Sequence, residues 1–191
     1  MTSSPAASVS PRRLRLATAW LAGCSGCHMS FLDLDLDLLE LAAHADLVAS
    51  PVLSDIKSYP DGVDLCLVEG AVATEEHRAQ ALWIRSRTTL VVALGDCAIH
   101  TNITGLRHRC RHWSDHGSVC SRVIAAPKRE ERLDPPLPTP LAVVLPLDAV
   151  IAVDASLPGC PPEASAIASL LRRWWQGRPL TAPGSRPQRF G

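Results

Sequence analysis

The chain has few aromatic side chains beyond tryptophan, with two Phe and one Tyr against five Trp in 191 residues. It has no excess of charge of either sign, with 19 basic residues against 19 acidic ones. A nucleic-acid or membrane-surface binder needs a basic field, so both classes are disfavoured. No apolar run reaches the ~18 to 20 residues that a membrane-spanning helix requires. The cysteines do not make an even set either: there are seven. An odd count in a chain of this length argues against a secreted disulfide framework. It argues for a reducing compartment in which cysteines serve a cofactor or metal. What the chain does have is bulk, at 47% hydrophobic residues. A single domain of this size buries about 70% of its unfolded surface. Trp20, Trp83, Trp113, Trp174 and Trp175 are expected in that core first and at a protein interface second.

Four cysteines stand in distinctive runs: Gly23-Cys24-Ser25-Gly26-Cys27, Leu94-Gly95-Asp96-Cys97-Ala98 and Pro158-Gly159-Cys160-Pro161-Pro162. Each run follows an apolar, strand-like stretch and carries glycine near its cysteine, where the backbone can bend sharply and approach a sulfur. Leu14–Trp20 reads as a buried strand, Asp46–Leu53 as a second ending near Pro51, and Val63–Val68 as a third ending at Glu69-Gly70. Thr88–Leu94 reads as a fourth covered on both faces, and Val150–Val153 as a short fifth. Met29–Ala43 is expected to be one helix capped by Ser30, although Leu32-Asp33-Leu34-Asp35-Leu36-Asp37-Leu38 alternates as a strand would. Thr74 is placed to cap a helix through Arg85, with Glu75 and Glu76 in its first turn. Pro161 and Pro162 precede a helix Glu163–Trp175 that Gly177 ends, with Pro179 beyond.

Strands alternating with helices imply a doubly wound parallel α/β sheet, in which ligands bind beyond the C-terminal ends of the strands. Cys24, Cys27, Glu69, Cys97 and Cys160 all follow predicted strands, so all should meet at one edge. The expected division is a disordered segment 1–12, a domain 13–178 and a tail 179–191. An irregular, basic and proline-rich insertion at 107–146 interrupts the domain. The N-terminal run near Arg12-Arg13 could pass for an export signal, and Leu21-Ala22-Gly23-Cys24 for a lipoprotein box. Arg15 cuts the apolar run short, and Cys27 is explained by neither, so cytoplasmic residence is expected.

Four thiolates on loops suit an iron–sulfur cluster. One close pair with two distant singles is not the usual two-pair zinc pattern, yet spacing alone leaves zinc and unligated cysteines open. Cys66, inside a strand, reads as a buried apolar residue. Cys110 and Cys120 lie in the basic segment and read as non-ligands. Glu69 either caps a loop or pairs with Lys57, or serves as a proton-transfer or interface group. Asp96 reads first as a turn residue and second as a charge that tunes a cluster. The histidines, including His28, show no metal spacing, and His108 and His112 share only a helical interval.

Taken together, Gly23 to Leu32, Val68-Glu69-Gly70-Ala71-Val72, Gly95-Asp96-Cys97-Ala98 and Pro158 to Pro162 resemble the small subunit of [NiFe] hydrogenases. The match runs over roughly residues 14–178, and only the combination of motifs is specific. The resemblance implies a flavodoxin-like fold in which Cys24, Cys27, Cys97 and Cys160 ligate one [4Fe–4S] cluster. That cluster would face a nickel–iron centre in a separate large subunit. Without a second cysteine-rich domain, the chain is similar to the short form found in soluble NAD(P)-linked hydrogenases, which work with flavin and Fe–S diaphorase subunits. Some such subunits are described as binding flavin mononucleotide (FMN), although no phosphate loop is evident here. Glu69 would stand near a proton path. The resemblance also implies a large-subunit interface over the cluster edge, and Arg107–Arg132 is a candidate docking surface for a second redox subunit. An alternative is the cluster-bearing 20-kDa subunit of NADH:quinone oxidoreductase, which resembles this chain at the Cys160 run but has adjacent cysteines in its first loop. A zinc-stabilised binding module without redox chemistry is the alternative from a different class.

Overall fold

The computed structural model describes residues 12–108 and 138–180. In chain order the strands are β1 (Leu14–Trp20), β2 (Ala45–Ala49), β3 (Val63–Glu69), β4 (Val72–Thr74), β5 (Thr88–Leu94), β6 (Pro140–Leu145) and β7 (Ala155–Leu157). The helices are α1 (Gly26–Leu32), α2 (Asp37–His44), α3 (Glu75–Arg87), α4 (Asp96–His100), α5 (Asn102–Gly105) and α6 (Ala164–Trp175). Five strands form one sheet in the order β2-β1-β3-β5-β7. All of its pairings are parallel. Counting only these five, the order is 2-1-3-4-5, the flavodoxin-like arrangement, which reverses direction between β1 and β3.

The strands carry apolar residues on both faces because both faces are covered. Leu16, Leu65, Leu67, Val92 and Leu94 point into one core with Phe31, Leu41, Ile167, Leu171 and Trp174. Ala17, Ala19, Cys66, Val68, Val91 and Ala93 point into the other with Ala81, Ile84, Ala98, Leu147 and Ile151. Helices α1, α2 and α6 therefore lie on one side of the sheet, and α3 and α4 on the other. Helix α6 reads Ile167, Leu170, Leu171, Trp174 along its buried stripe, the 3.6-residue pattern of a core-facing helix. Arg172 then ties it to Asp37 (2.6 Å) and Glu40 (2.9 Å) of α2. Helix α3 starts as expected: the Thr74 hydroxyl accepts the His77 N–H at 3.1 Å, a cap worth about 1 kcal/mol. Gly177 ends α6 in the left-handed region at φ 67°.

Five local expectations are corrected. The stretch Met29–Ala43 is two helices, broken at Asp35, whose φ is 55°. Ser30 is no cap: it is buried, and its hydroxyl donates to the Pro162 carbonyl. Alternating aspartates at 33, 35 and 37 repel one another and compete for backbone bonds, which favours a turn over either regular element. The second strand stops at Ala49, because the Ser50 hydroxyl accepts the N–H groups of Val52 and Leu53 in a turn. Val150–Val153 is not a strand. There the Asp154 carboxylate accepts the Val91 N–H at 2.7 Å, so sheet pairing begins one residue later, at Val92 with Ala155. Finally, the insertion is not irregular throughout, since β6 pairs antiparallel with β4.

Candidate functional site

Parallel strands β1, β3, β5 and β7 are neighbours, so whatever follows each of them emerges at one edge. Cys24 lies in the loop after β1, and Cys27 in the first turn of α1. Glu69 is the last residue of β3, and Cys97 lies in the first turn of α4, shortly after β5. Cys160 lies in the loop after β7. The four cysteines line one cavity together with Gly26, Glu69, Asp96, Gly159 and Pro161. Cys27 and Cys97 are buried, while Cys24 and Cys160 are exposed. Among the described residues, no three His, Cys, Asp or Glu side chains converge closely enough to hold a single metal ion. The sulfurs surround a space instead of meeting at a point.

The loops are bound to one another as well as to the sheet. The Gly95 N–H donates to Leu157 O (2.8 Å) and the Asp96 N–H to Gly159 O (2.9 Å). The Asp96 carboxylate accepts the Gly159 N–H at 2.8 Å. These bonds clamp the Cys97 and Cys160 loops together, so Asp96 does serve a turn, but one shared by two loops. Glycine is required where the loops crowd. Gly95 has φ +81°, and a Cβ there would lie 2.3 Å from the Cys27 Sγ.

Glu69 is 1% exposed. Its Oε2 accepts both the His28 N–H (2.9 Å) and the His28 Nδ1–H (2.5 Å). It therefore anchors the Cys24–Cys27 loop from below and is not paired with Lys57, which is exposed. Sequence reasoning passed over His28 because it sought metal spacing. The available signal was a histidine directly after Cys27 facing the one acid that follows a strand. Asn102 was missed too: its amide donates to the Cys160 Sγ at 3.2 Å, and no motif marks it.

The electrostatics around the two buried cysteines, Cys27 and Cys97, oppose free thiolates. Burial pushes the Cys27 thiol well above its ordinary range, and the charges of Glu69, Cys97, Cys24 and Cys160 push it further. Burial raises Cys97 as well, the Ile103 N–H opposes that rise, and Cys160, Cys24 and Glu69 add to it. Four thiolates here need a compensating positive charge, which bound metal supplies. Cys66 lies elsewhere, fully buried in β3, its thiol pushed up to about 12 by burial. Cys110, Cys120, Trp113, His112 and most of the Arg107–Arg132 segment fall outside the described residues. Arg107 itself donates to Leu141 O at 2.8 Å, which ties it to β6. Trp174 is core, while Trp20 (40%) and Trp83 (51%) are exposed.

A family model described as NADH ubiquinone oxidoreductase, 20 Kd subunit, matches residues 24–174. The chain belongs to this family. The match starts at Cys24 and runs past Cys160, so it contains the whole cavity. Within the family the chain's curated relatives carry hydrogenase names. It is 33% identical over 180 residues to a subunit of the F420-non-reducing hydrogenase of Methanothermobacter marburgensis, covering 91% of this chain and 57% of the relative. It is 31% identical over 176 residues to the NAD-reducing hydrogenase HoxS subunit delta of Cupriavidus necator, covering 91% and 84%. The chain thus spans about half the length of the first relative and most of the second. Among solved structures, it superposes on a chain of an NAD+-reducing [NiFe]-hydrogenase in the H2-reduced state with TM-score 0.78 and 36% identity. That match covers 93% of this chain and 99% of the other. A [NiFeSe]-hydrogenase chain from Dm. baculatum, at TM-score 0.53 and 16% identity, shares the fold alone. The family model thus carries the name of the NADH:quinone oxidoreductase alternative, while the relatives named above are hydrogenase subunits. No helix among the described residues is long and apolar enough to cross a membrane.

Proposed function

We propose that this chain is the electron-transfer subunit of a soluble, NAD-linked [NiFe] hydrogenase, holding one [4Fe–4S] cluster through Cys24, Cys27, Cys97 and Cys160. The observation that carries the reading is the delivery of four cysteines from three strand-end loops into one cavity at the C-terminal edge of the sheet. Sulfurs spread around a cavity suit a polynuclear unit better than one tetrahedral zinc. When bound, the cluster would supply one-electron transfer. The chain's own residues do the rest: Asp96 clamps two ligand loops, Glu69 anchors the third through His28, and Gly95 keeps the space open. Glu69 would also lie on a proton path at this edge.

The nickel–iron centre would belong to a large subunit that covers the cluster edge, and a diaphorase with flavin and Fe–S subunits would exchange electrons with NAD. Trp20, Met29 (44% exposed) and Ile103 (60% exposed) lie on or beside the ligand-bearing segments, which supports a partner there. The cytoplasm, where thiols stay reduced, is the fitting compartment. FMN has weaker support: a flavodoxin-like sheet binds it at the reversal point between β1 and β3, and that place is taken by Cys24, Cys27 and Glu69. The C-x-x-C spacing and the relatives' names favour hydrogenase over the NADH:quinone oxidoreductase alternative.

The test is iron and acid-labile sulfide analysis with EPR on the reduced complex, purified without air. Cys97→Ala and Cys160→Ala should lose the cluster signal, and Cys66→Ala should keep it. A complex that holds zinc without sulfide, or an intact signal in Cys160→Ala, overturns the reading.

A further inference from the structure

Between α4 and α5 the chain passes through two consecutive non-glycine residues with positive φ, Thr101 at 64° and Asn102 at 30°. Such residues are uncommon, and their presence asks what the turn accomplishes. The turn is held from several sides. The Thr101 N–H donates to Cys97 O (3.1 Å) and the Gly105 N–H to Thr101 O (3.0 Å). A Cβ on Gly105 would lie 2.3 Å from the Thr101 Oγ1. The result is that the turn aims a side-chain donor at a cysteine sulfur. The Asn102 Nδ2 donates to the Cys160 Sγ at 3.2 Å. The turn follows the Cys97 helix, while Cys160 comes from the loop after β7, so the contact joins two ligand-bearing segments.

A cysteine sulfur bound to metal carries no proton and can only accept, so the amide must present its NH2 group. Reduction adds one negative charge, shared between metal and sulfur. An N–H dipole pointed at a sulfur stabilises the more negative state more strongly, which raises the reduction potential. We infer that Asn102 sets the potential of this site: its amide, donating to the Cys160 Sγ, holds the cluster's potential above what the cysteines alone would give. This inference rests on the proposed cluster at Cys24, Cys27, Cys97 and Cys160. Asn102 acts through Cys160 and is a positioning residue.

The test is an EPR-monitored titration of the whole purified complex with dithionite, comparing wild type with Asn102→Asp and Asn102→Gly. Dithionite supplies the electron; one electron enters, and no bond or proton is exchanged. Aspartate has the shape of asparagine and tolerates the same backbone, but offers oxygen where the donor was. Glycine is at ease at positive φ and deletes the donor without strain. Both variants should keep their iron and sulfide. The midpoint should fall in both, further in Asn102→Asp, by about tenfold in the oxidised-to-reduced ratio at fixed potential, or ~59 mV for a one-electron couple. If Asn102→Asp does not assemble, Asn102→Gly decides alone. A full cluster with the wild-type midpoint in Asn102→Gly overturns the inference. Loss of iron in both variants overturns it as well, by making Asn102 a structural clamp. A wild-type complex without an iron–sulfur signal overturns the functional reading itself, a result distinct from the others.

Discussion

The same small substitution at two glycines should have very different consequences. Gly95 has φ 81° and ψ 164°, a region essentially reserved for glycine, so alanine there costs ~1–3 kcal/mol in backbone strain. Its Cβ would also lie 2.3 Å from the Cys27 Sγ and 3.3 Å from Gly159 O. The strand cannot retreat, because the Gly95 N–H is bonded to Leu157 O at 2.8 Å. Relieving that overlap adds ~1–3 kcal/mol. The total, ~2–6 kcal/mol, is a large part of a domain's stability of ~5–15 kcal/mol. Moreover, the atom that must move is a proposed ligand sulfur. Gly177 has φ +67° but nothing within 4 Å of its would-be Cβ, so alanine there costs only the left-handed backbone, ~1–2 kcal/mol. Gly95→Ala should therefore lower the iron content and visible absorption of the purified complex and its melting temperature. Gly177→Ala should keep the iron and lose a few degrees at most. A Gly95→Ala complex with full iron and a wild-type spectrum would refute the reasoning, because the sulfur would then have room that the geometry denies it.

Glu69→Ala leaves the His28 N–H and ring buried without their acceptor, at ~1–3 kcal/mol for each unsatisfied group. Its melting temperature should fall further than that of Glu69→Gln, which keeps an acceptor, and equal melting of Glu69→Ala and wild type would refute the anchor. Thr74→Ala should lose about 1 kcal/mol of chemical stability through the α3 cap, and Thr74→Ser should recover most of it. His77 makes stability depend on pH. Burial lowers its pKa from the ordinary 6.5, and its Nδ1 is buried without a hydrogen-bond partner. Its folded pKa lies below its unfolded one, so the unfolded chain binds more protons in between. The contribution is whole above about 6.5 and is lost as pH falls through the folded value. Unfolding curves from pH 7.5 down to 5 should show a shallower decline in His77→Gln than in wild type, and parallel declines would count against it.

Much of the site was legible because each proposed ligand sits beside a local signal. An apolar run, a glycine and a cysteine in succession place a thiol at a strand end whatever the rest of the chain does. The glycines are needed by the local backbone or by crowding, and Thr74 caps α3 with atoms three residues apart. The elements that were misread are those decided by distant partners. Val150–Val153 has strand-forming residues, but the Asp154 side chain takes the Val91 N–H that a strand would have used. The leucine–aspartate stretch carries a strand's alternation and a helix's cap; α1 ends at Leu32 and α2 begins at Asp37, and the turn between them buries Leu34 while Leu36 faces outward.

From the sequence alone came the class of fold, the four cysteines and the edge at which they meet, since alternating apolar strands and helices admit few topologies and ligand loops follow strand ends. Tertiary structure alone decided the strand order, the pairing of Glu69 with His28 in place of Lys57, the Asp96 clamp and the Asn102 donor. The last three each join residues far apart in the chain through one or two hydrogen bonds. Hydrophobic periodicity records which face a residue buries; it carries no trace of which distant polar atom a buried or looped side chain will find.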